Sequence, residues 1–396
     1  MTDFVQVRFV SDDPSITVPS DSIRVPVSST PVELSELVNE LLSNNTVFTF
    51  SFLYNDILVQ TALSTFIQQH NLSSEHSLTL HVFIATSTPS PSETLPHDDW
   101  VSSLLSIDSS TLISGCYDGS IYFWSNSSLF STRTIHTAAV TDITAFSDGD
   151  ILNLVTVSRD GTAYTFTLSD NFSLTQTNTL VGHTDSIETV SISPEGSMVC
   201  TGCNDHKIRL FALNDDEKSF DVSERSELVT FANHKGGVTC IDWAEEGSIF
   251  SSSLDQSLIV WDVLSAAPAY QSYLSAAVLS IEVNQSNTSL VVSGLTDSTI
   301  KINDIRAQES PVKSCFFAPK SSGVVSTVTW SNDTSIASCH TDNTIRIWDL
   351  RGSSKVPVHS FNHSKDDSKC RVLCGTVDEG RILTGGTDGK VVVSRF

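Results

Sequence analysis

With 396 residues, 22 of them basic against 46 acidic and a formal net charge of −24, the chain is longer than one ordinary domain of ~100–200 residues and too acidic for broad capture of a phosphate backbone. Any link to RNA is therefore expected to run through protein partners. The opening MTDFVQVRFV has no basic stretch followed by an apolar core, and no run of about 18 apolar residues occurs, which predicts a soluble intracellular protein.

From the first residue to about residue 84 the pattern is that of a small mixed domain. FVQVRFV and IRVPVSS alternate like two strands of a hairpin. STPVELSELVNELLS then signals a helix: Thr30 can cap it, Pro31 occupies its first turn, and Glu33 completes a capping box. Leu34, Leu37, Val38, Leu41 and Leu42 share one face, ready to cover a sheet. VFTFSFLY, a connecting stretch and SLTLHVFI follow, the first and last of them predicted as further strands. Two strands, a helix and two more strands suggest a ubiquitin-like β-grasp fold. Without a diglycine tail, conjugation is not expected. In NLSSEHSLTLHV, Glu75 stands between Ser74 and the start of a strand; read by itself, it is a solvated turn residue. Residues 85–96, with Pro89, Pro91 and Pro96, read as a linker.

Beyond the linker the chain repeats itself. YDGSIYFW, RDGTAYTF, NDHKIRLF, LDQSLIVW, TDSTIKIN, TDNTIRIW and TDGKVVVS place aspartates at Asp118, Asp160, Asp205, Asp255, Asp297, Asp342 and Asp388, with spacings of 42, 45, 50, 42, 45 and 46 residues. That is the period of a four-stranded propeller blade. Each aspartate sits in a tight polar turn between two short apolar strands. His97, His136, His183, His234 and His363 stand 21 to 25 residues upstream of five of them. Such a histidine, the turn aspartate, a strand Ser or Thr and the aromatic six residues past the aspartate can form a buried hydrogen-bonded set that locks the blade. The same His, Ser and Asp invite a catalytic reading. One enzyme needs one set, however, and here it is spread round the whole array. No phosphate-cradling glycine loop, paired-carboxylate motif or metal-binding helix is visible. The eight cysteines lack the density of a disulfide scaffold, and Cys200 and Cys203 read as small strand residues in a reducing compartment rather than a redox pair or half a zinc site.

GHTDSIETVSISPEG…TGCNDHKIRLF and WSNDTSIASCHTDNTIRIWDL resemble the WD40 family at its Gly-His, Asp and Trp-Asp positions. The resemblance implies a mainly β protein: a seven-bladed propeller over residues 97–396, preceded by the small α+β domain. The repeats are degenerate. The Trp position holds Trp124, Trp261 and Trp348 in three blades, then Phe166, Phe211, Asn303 and Ser394. Blades five and six also lack the opening histidine, so blade five should be among the least tightly locked. Because the chain ends on KVVVSRF, the third strand of the last blade, residues just before His97 are expected to supply the outer strand and close the ring.

A ubiquitin-like head on a WD40 propeller is similar to the NLE-domain proteins of eukaryotic ribosome assembly. The junction PHDDWVSSL and the seven repeats resemble the WD-repeat-twelve (Ytm) branch more than the Notchless branch. That resemblance implies a non-enzymatic factor in large (60S) subunit assembly and in maturation of large-subunit and 5.8S rRNA. It implies binding of the block-of-proliferation protein by the propeller, association with pescadillo in the PeBoW complex, and a nuclear, nucleolar and nucleoplasmic location. It further implies that the head docks on midasin, an ATPase, where LSSEHSL would present Glu75, flanked by Ser73 and Ser74, to a Mg²⁺ held by midasin; the chain itself would carry no cofactor.

One departure from the pattern is the longest gap between repeats, NDDEKSFDVSERSE, with six acids and two bases where relatives often carry a basic import-like loop. Import bound to a partner is the expectation that follows. Two readings compete with assembly: a propeller adaptor for a ubiquitin ligase, for which no docking segment is found, and a propeller hydrolase, which would need convergent polar groups at the channel mouth.

Overall fold

The structure is a computed structural model that describes residues 4–11, 16, 18–19, 21–42, 48–55, 57–59, 61–70, 72, 77–84, 89–148, 151–169, 173–213, 223–244, 247–307, 312–317, 323–350, 357–364, 369–378 and 380–395. Two compact units emerge. Met1–Thr88 makes up nearly all of one; Pro89–Trp348 with Val358–Arg395 makes up the other.

In the first unit, strand Phe4–Val10 alternates outward and inward residues, burying Val5, Val7 and Phe9. It pairs antiparallel with Ile23–Pro26 and parallel with Leu78–Ile84, which pairs antiparallel with Phe50–Tyr54; the two-residue strand Ile57–Leu58 completes the sheet. Helix Pro31–Leu42 begins as its sequence dictates: the Thr30 N–H donates to Glu33 Oε2 at 2.8 Å and the Glu33 N–H to Thr30 Oγ1 at 3.4 Å. Leu34 and Val38 are fully buried against the sheet, with Leu37, Leu41 and Leu42 packed beside them. Each fully buried side chain of this kind contributes about 1.5–3 kcal/mol. The stretch expected only to connect two strands holds a second helix, Leu63–Gln69. Its first N–H groups are taken by distant carbonyls, Leu63 N–H to Ser29 and Ser64 N–H to Val27, so it needs no local cap.

The second unit consists of seven sheets of four strands, one of which gains a fifth. Their inner strands, Val101–Ser106, Val140–Asp148, Ile187–Ile192, Val238–Trp243, Val278–Val283, Val325–Asn332 and Val372–Asp378, contact one another in that order, and the last returns to the first. The ring is therefore closed. The final sheet takes its outer strand from the other end of the unit: Ser90–Pro96 lies antiparallel to Lys390–Arg395, with Leu95 opposite Val391. What composition suggests as linker is thus a strand from Ser90 onward. Its prolines are tolerated because an outer strand has a free hydrogen-bonding side. Glu93 also pairs with Arg395 at 2.8 Å. The extra strand, Ser223–Arg225, joins blade two in parallel beside Leu174–Leu180 and follows the acidic stretch 214–222, which lies outside the described residues.

The residue after each turn aspartate adopts a positive φ: Gly119, Gly161, His206, Gln256, Ser298, Asn343 and Gly389, between 66° and 83°. At Gly119 a side chain would also strike the His136 carbonyl oxygen, 2.2 Å from an ideal Cβ.

Candidate functional site

Blade four shows the lock most fully. His234 Nε2 lies 2.7 Å from Ser251 Oγ, and the Trp261 indole N–H donates to that same oxygen at 2.7 Å. His234 Nδ1 is 2.8 Å from Ser257 Oγ and 3.5 Å from Asp255 Oδ2. Asp255 accepts the Lys235 N–H at 2.6 Å and the Ser257 N–H at 2.8 Å. The turn aspartate thus ties the incoming loop to the hairpin, and the serine holds the histidine and tryptophan together. Ser114, Thr156, Thr201, Ser251, Ser293, Ser338 and Thr384 occupy the serine's place round the ring, all essentially without exposure.

The other blades vary on this scheme. In blade one His97 Nε2 meets Ser114 Oγ at 2.6 Å and Trp124 donates to the same hydroxyl at 3.0 Å, but His97 Nδ1 faces the Leu95 carbonyl and Asp118 receives the Tyr122 hydroxyl. Among the described residues the direct His97–Asp118 bond anticipated by the scheme is not made; Tyr122 donates to Asp118 instead. In blade two His136 bridges Thr156 and Thr162, and Asp160 accepts the Thr137 N–H. In blade three Arg209 donates to Asp205 Oδ2 at 2.7 Å beside His183. Burial works against the charge of Asp205, but Arg209, Cys203 and His183 outweigh it and hold its pKa at about 2. Blade six replaces the missing upstream histidine with His340 from its own strand, 2.9 Å from Ser338 Oγ, which also accepts from Trp348. Its aspartate, Asp342, holds the Thr344 N–H and Arg346.

Blade five is the least complete. Asp297 accepts the Thr299 N–H and the Ser275 hydroxyl, but Ser293 Oγ and both polar atoms of the fully buried Asn303 have no hydrogen-bond partner among the described residues. In blade seven His363 is turned round, Nδ1 to Thr384 at 2.8 Å and Nε2 to Asp388 Oδ1 at 3.2 Å, with Ser394 where a Trp could stand.

His136, His183, His234 and His363 have side chains at most 1% exposed, as buried hydrogen-bonded locks require. Burial is the main cause that pushes His97 and His183 down to about 4 and His340 to about 3, so all three are neutral at ordinary pH.

Three buried acids add polar ties between neighbouring inner strands that escape sequence reading. Asp142 accepts the Val190 N–H and the Thr189 hydroxyl of the next inner strand, Asp242 the Val283 N–H at 2.7 Å, and Glu282 the Trp330 N–H at 2.6 Å. Each carboxyl group stitches one blade to its neighbour. Burial raises Asp142 and Asp242 to about 6; burial and the nearby charge of Asp242 raise Glu282 to about 8. A lone acid inside an apolar strand was the available signal.

Ser73, Ser74 and Glu75 lie outside the described residues. Their frame is described: the Leu72 N–H bonds the Ile67 carbonyl, and Leu78 is buried opposite Val7. Two His/Cys/Asp groups have metal-ligating atoms within 4.8 Å of one another, His183–Cys203–Asp205 and His363–Cys370–Asp388.

A β-grasp head in one unit and a closed ring of seven blades in the other define an NLE-headed WD40-repeat protein. The NLE (NUC135) domain family matches residues 5–67, and the WD domain, G-beta repeat family matches 89–125, 174–211, 225–262 and 309–349. The four repeat matches run through Trp124, Phe211, Trp261 and Trp348, and none reaches Asn303 or Ser394. Along nearly its whole length the chain has homologues named ribosome biogenesis protein WDR12 homolog. The one from Oryza sativa subsp. japonica is 28% identical, covering 98% of this chain and 96% of the relative. Those from Ixodes scapularis and Dictyostelium discoideum are 25% and 27% identical, covering 98% of this chain and 98% and 94% of the relatives.

Proposed function

We propose that this chain is a non-enzymatic assembly factor in ribosome biogenesis that acts on the large (60S) subunit precursor and supports maturation of large-subunit and 5.8S rRNA. The observation that carries the proposal is the joining of both halves, head and propeller, in homologues named for ribosome biogenesis and matched nearly end to end. The propeller is the platform, bound to the block-of-proliferation protein and, through it, pescadillo. The head is the handle, presenting Glu75, with Ser73 and Ser74 beside it, to Mg²⁺ held by midasin. Its place is the nucleus, chiefly nucleolus and nucleoplasm, reached with a partner because the stretch 214–227 is acidic. A net charge of −24 supports contact with the particle through proteins rather than RNA. Among the described residues, no helix is long and apolar enough to cross a membrane.

Affinity purification of the tagged chain tests this reading. Recovery of 60S precursor proteins with midasin is the expected result; recovery of cullin components instead would favour a ubiquitin-ligase adaptor.

A further inference from the structure

From the convergence of His363, Cys370 and Asp388 beside Gly386 in the last blade, we infer that the closing blade binds a single divalent transition-metal ion of the zinc type. The Nε2–Oδ1 separation is 3.2 Å. An ideal Cβ on Gly386 would lie 2.8 Å from both Cys370 Sγ and His363 Nε2 and 3.0 Å from Asp388 Oδ1. Three donor atoms thus gather over a residue with no side chain, and any larger residue would obstruct them. Ligands around a tetrahedral Zn²⁺ at ~2.0–2.3 Å stand ~3.4 Å apart, close to the separation present.

The second observation is the state of Asp388. Its side chain is 7% exposed, yet Oδ2 has no hydrogen-bond partner among the described residues. In the other six blades the turn aspartate accepts the N–H two residues on, at Ser120, Thr162, Lys207, Ser257, Thr299 and Thr344. Among the described residues no such bond is made at Lys390. Blades three and six add a guanidinium four residues past the aspartate, Arg209 and Arg346; the same position in blade seven is Val392. A buried carboxylate with an unused oxygen has capacity for a further donor or a cation.

Blade three provides the internal comparison. The ligating atoms of His183, Cys203 and Asp205 also lie within 4.8 Å of one another, and Cys203, like Cys370, meets the N–H of its turn aspartate, but there Arg209 already neutralises Asp205. That set is filled by protein. In blade seven Thr384 holds His363 Nδ1, leaving Nε2 directed at the cluster, as an orienting partner does for a ligating imidazole. On binding, the Cys370 thiol releases one proton to solvent, and thiolate plus carboxylate balance the two positive charges. The pairing of imidazole, thiolate and carboxylate favours Zn²⁺ over Ca²⁺ or Mg²⁺. The ion would tie the loop entering the last blade to the hairpin that lacks a tryptophan.

The full-length chain, stripped of metal and titrated with Co²⁺ and then Zn²⁺, tests the site. The expected results are one equivalent bound, a thiolate-to-cobalt charge-transfer band, and release of about one proton per ion. Cys370→Ser abolishes the band, Asp388→Asn weakens Zn²⁺ binding by more than about tenfold, and Cys203→Ser leaves both unchanged. Absence of the band in the wild-type chain, its survival in Cys370→Ser, or its loss in Cys203→Ser would overturn the inference.

Discussion

Leu95 and Val391 sit opposite one another in the last sheet, Leu95 only 3% exposed and Val391 not at all. The propeller's first strand is thereby its last blade's outer strand, so closure of the ring depends on both ends of the unit at once.

A chain that starts at residue 89 should therefore melt cooperatively, whereas one that starts at residue 97 should lose that behaviour, since its last blade exposes an edge. Leu95→Ala tests the same contact more gently and should cost about 2–4 kcal/mol by leaving a cavity. Chemical denaturation of the three chains would check this. Equal midpoints would mean that the closing strand is dispensable.

Ser251→Ala and Ser293→Ala form a matched pair, because the two serines occupy the same position in adjacent blades. The first removes the shared partner of His234 and Trp261 and should destabilise by about 1–3 kcal/mol. The second removes a hydroxyl that bonds nothing among the described residues, and should be neutral or slightly stabilising. Equal losses would contradict the view that blade five's lock is incomplete.

Gln256→Gly addresses the turn of blade four. Glutamine holds φ at 72° there, a conformation that costs an L-residue roughly 1–2 kcal/mol, part of which glycine gives back as greater freedom when unfolded. A net gain of about 0.5–1 kcal/mol is expected on these grounds, read as a higher melting temperature. A lower one would locate the strain elsewhere.

The pH dependence separates two opposed groups. Glu282, raised to about 8 by burial first and Asp242 second, binds its proton more tightly when folded. Its contribution is complete below its ordinary value of 4.5 and is lost as pH rises through about 8. His97, His183 and His340, lowered mainly by burial to about 4, 4 and 3, act the other way, stabilising above 6.5 and losing that effect as pH falls through those values. On the acid side Asp142 and Asp242 partly offset the histidines, so the clean test is on the alkaline side. Glu282→Gln keeps an acceptor for the Trp330 N–H without the charge, so its melting temperature should gain on wild type between about pH 6 and 9. A difference independent of pH would remove Glu282 from the account.

Much of this fold is local chemistry and so could be read from the chain. The Thr30–Glu33 box marks a helix start, alternation at Val5, Val7 and Phe9 marks a strand, and aspartates at a steady period mark the blades. What escaped depends on partners remote in sequence. Helix Leu63–Gln69 carries apolar residues at Leu63, Phe66 and Ile67, but its cap comes from Val27 and Ser29. Ser223–Arg225 is a strand because blade two offers it an edge. His340 stands in for an absent upstream histidine only because the fold brings its ring to Ser338. The candidate partner residue, Glu75, was singled out by resemblance rather than by its local pattern.

Glu75 is also where the proposed division between handle and platform is most directly tested. Mg²⁺ prefers near-octahedral oxygen coordination, and a carboxylate from another protein can fill an open position while adding compensating charge. Titration of the full chain against midasin's metal-site domain, with wild type, Glu75→Gln and Glu75→Asp, measures that contribution. The account predicts Mg²⁺-dependent binding that chelation abolishes and that Glu75→Gln weakens by roughly a hundredfold, about 3 kcal/mol, with the melting temperature unchanged and Glu75→Asp also weakened. Undiminished binding by Glu75→Gln, or binding indifferent to chelator, would contradict it.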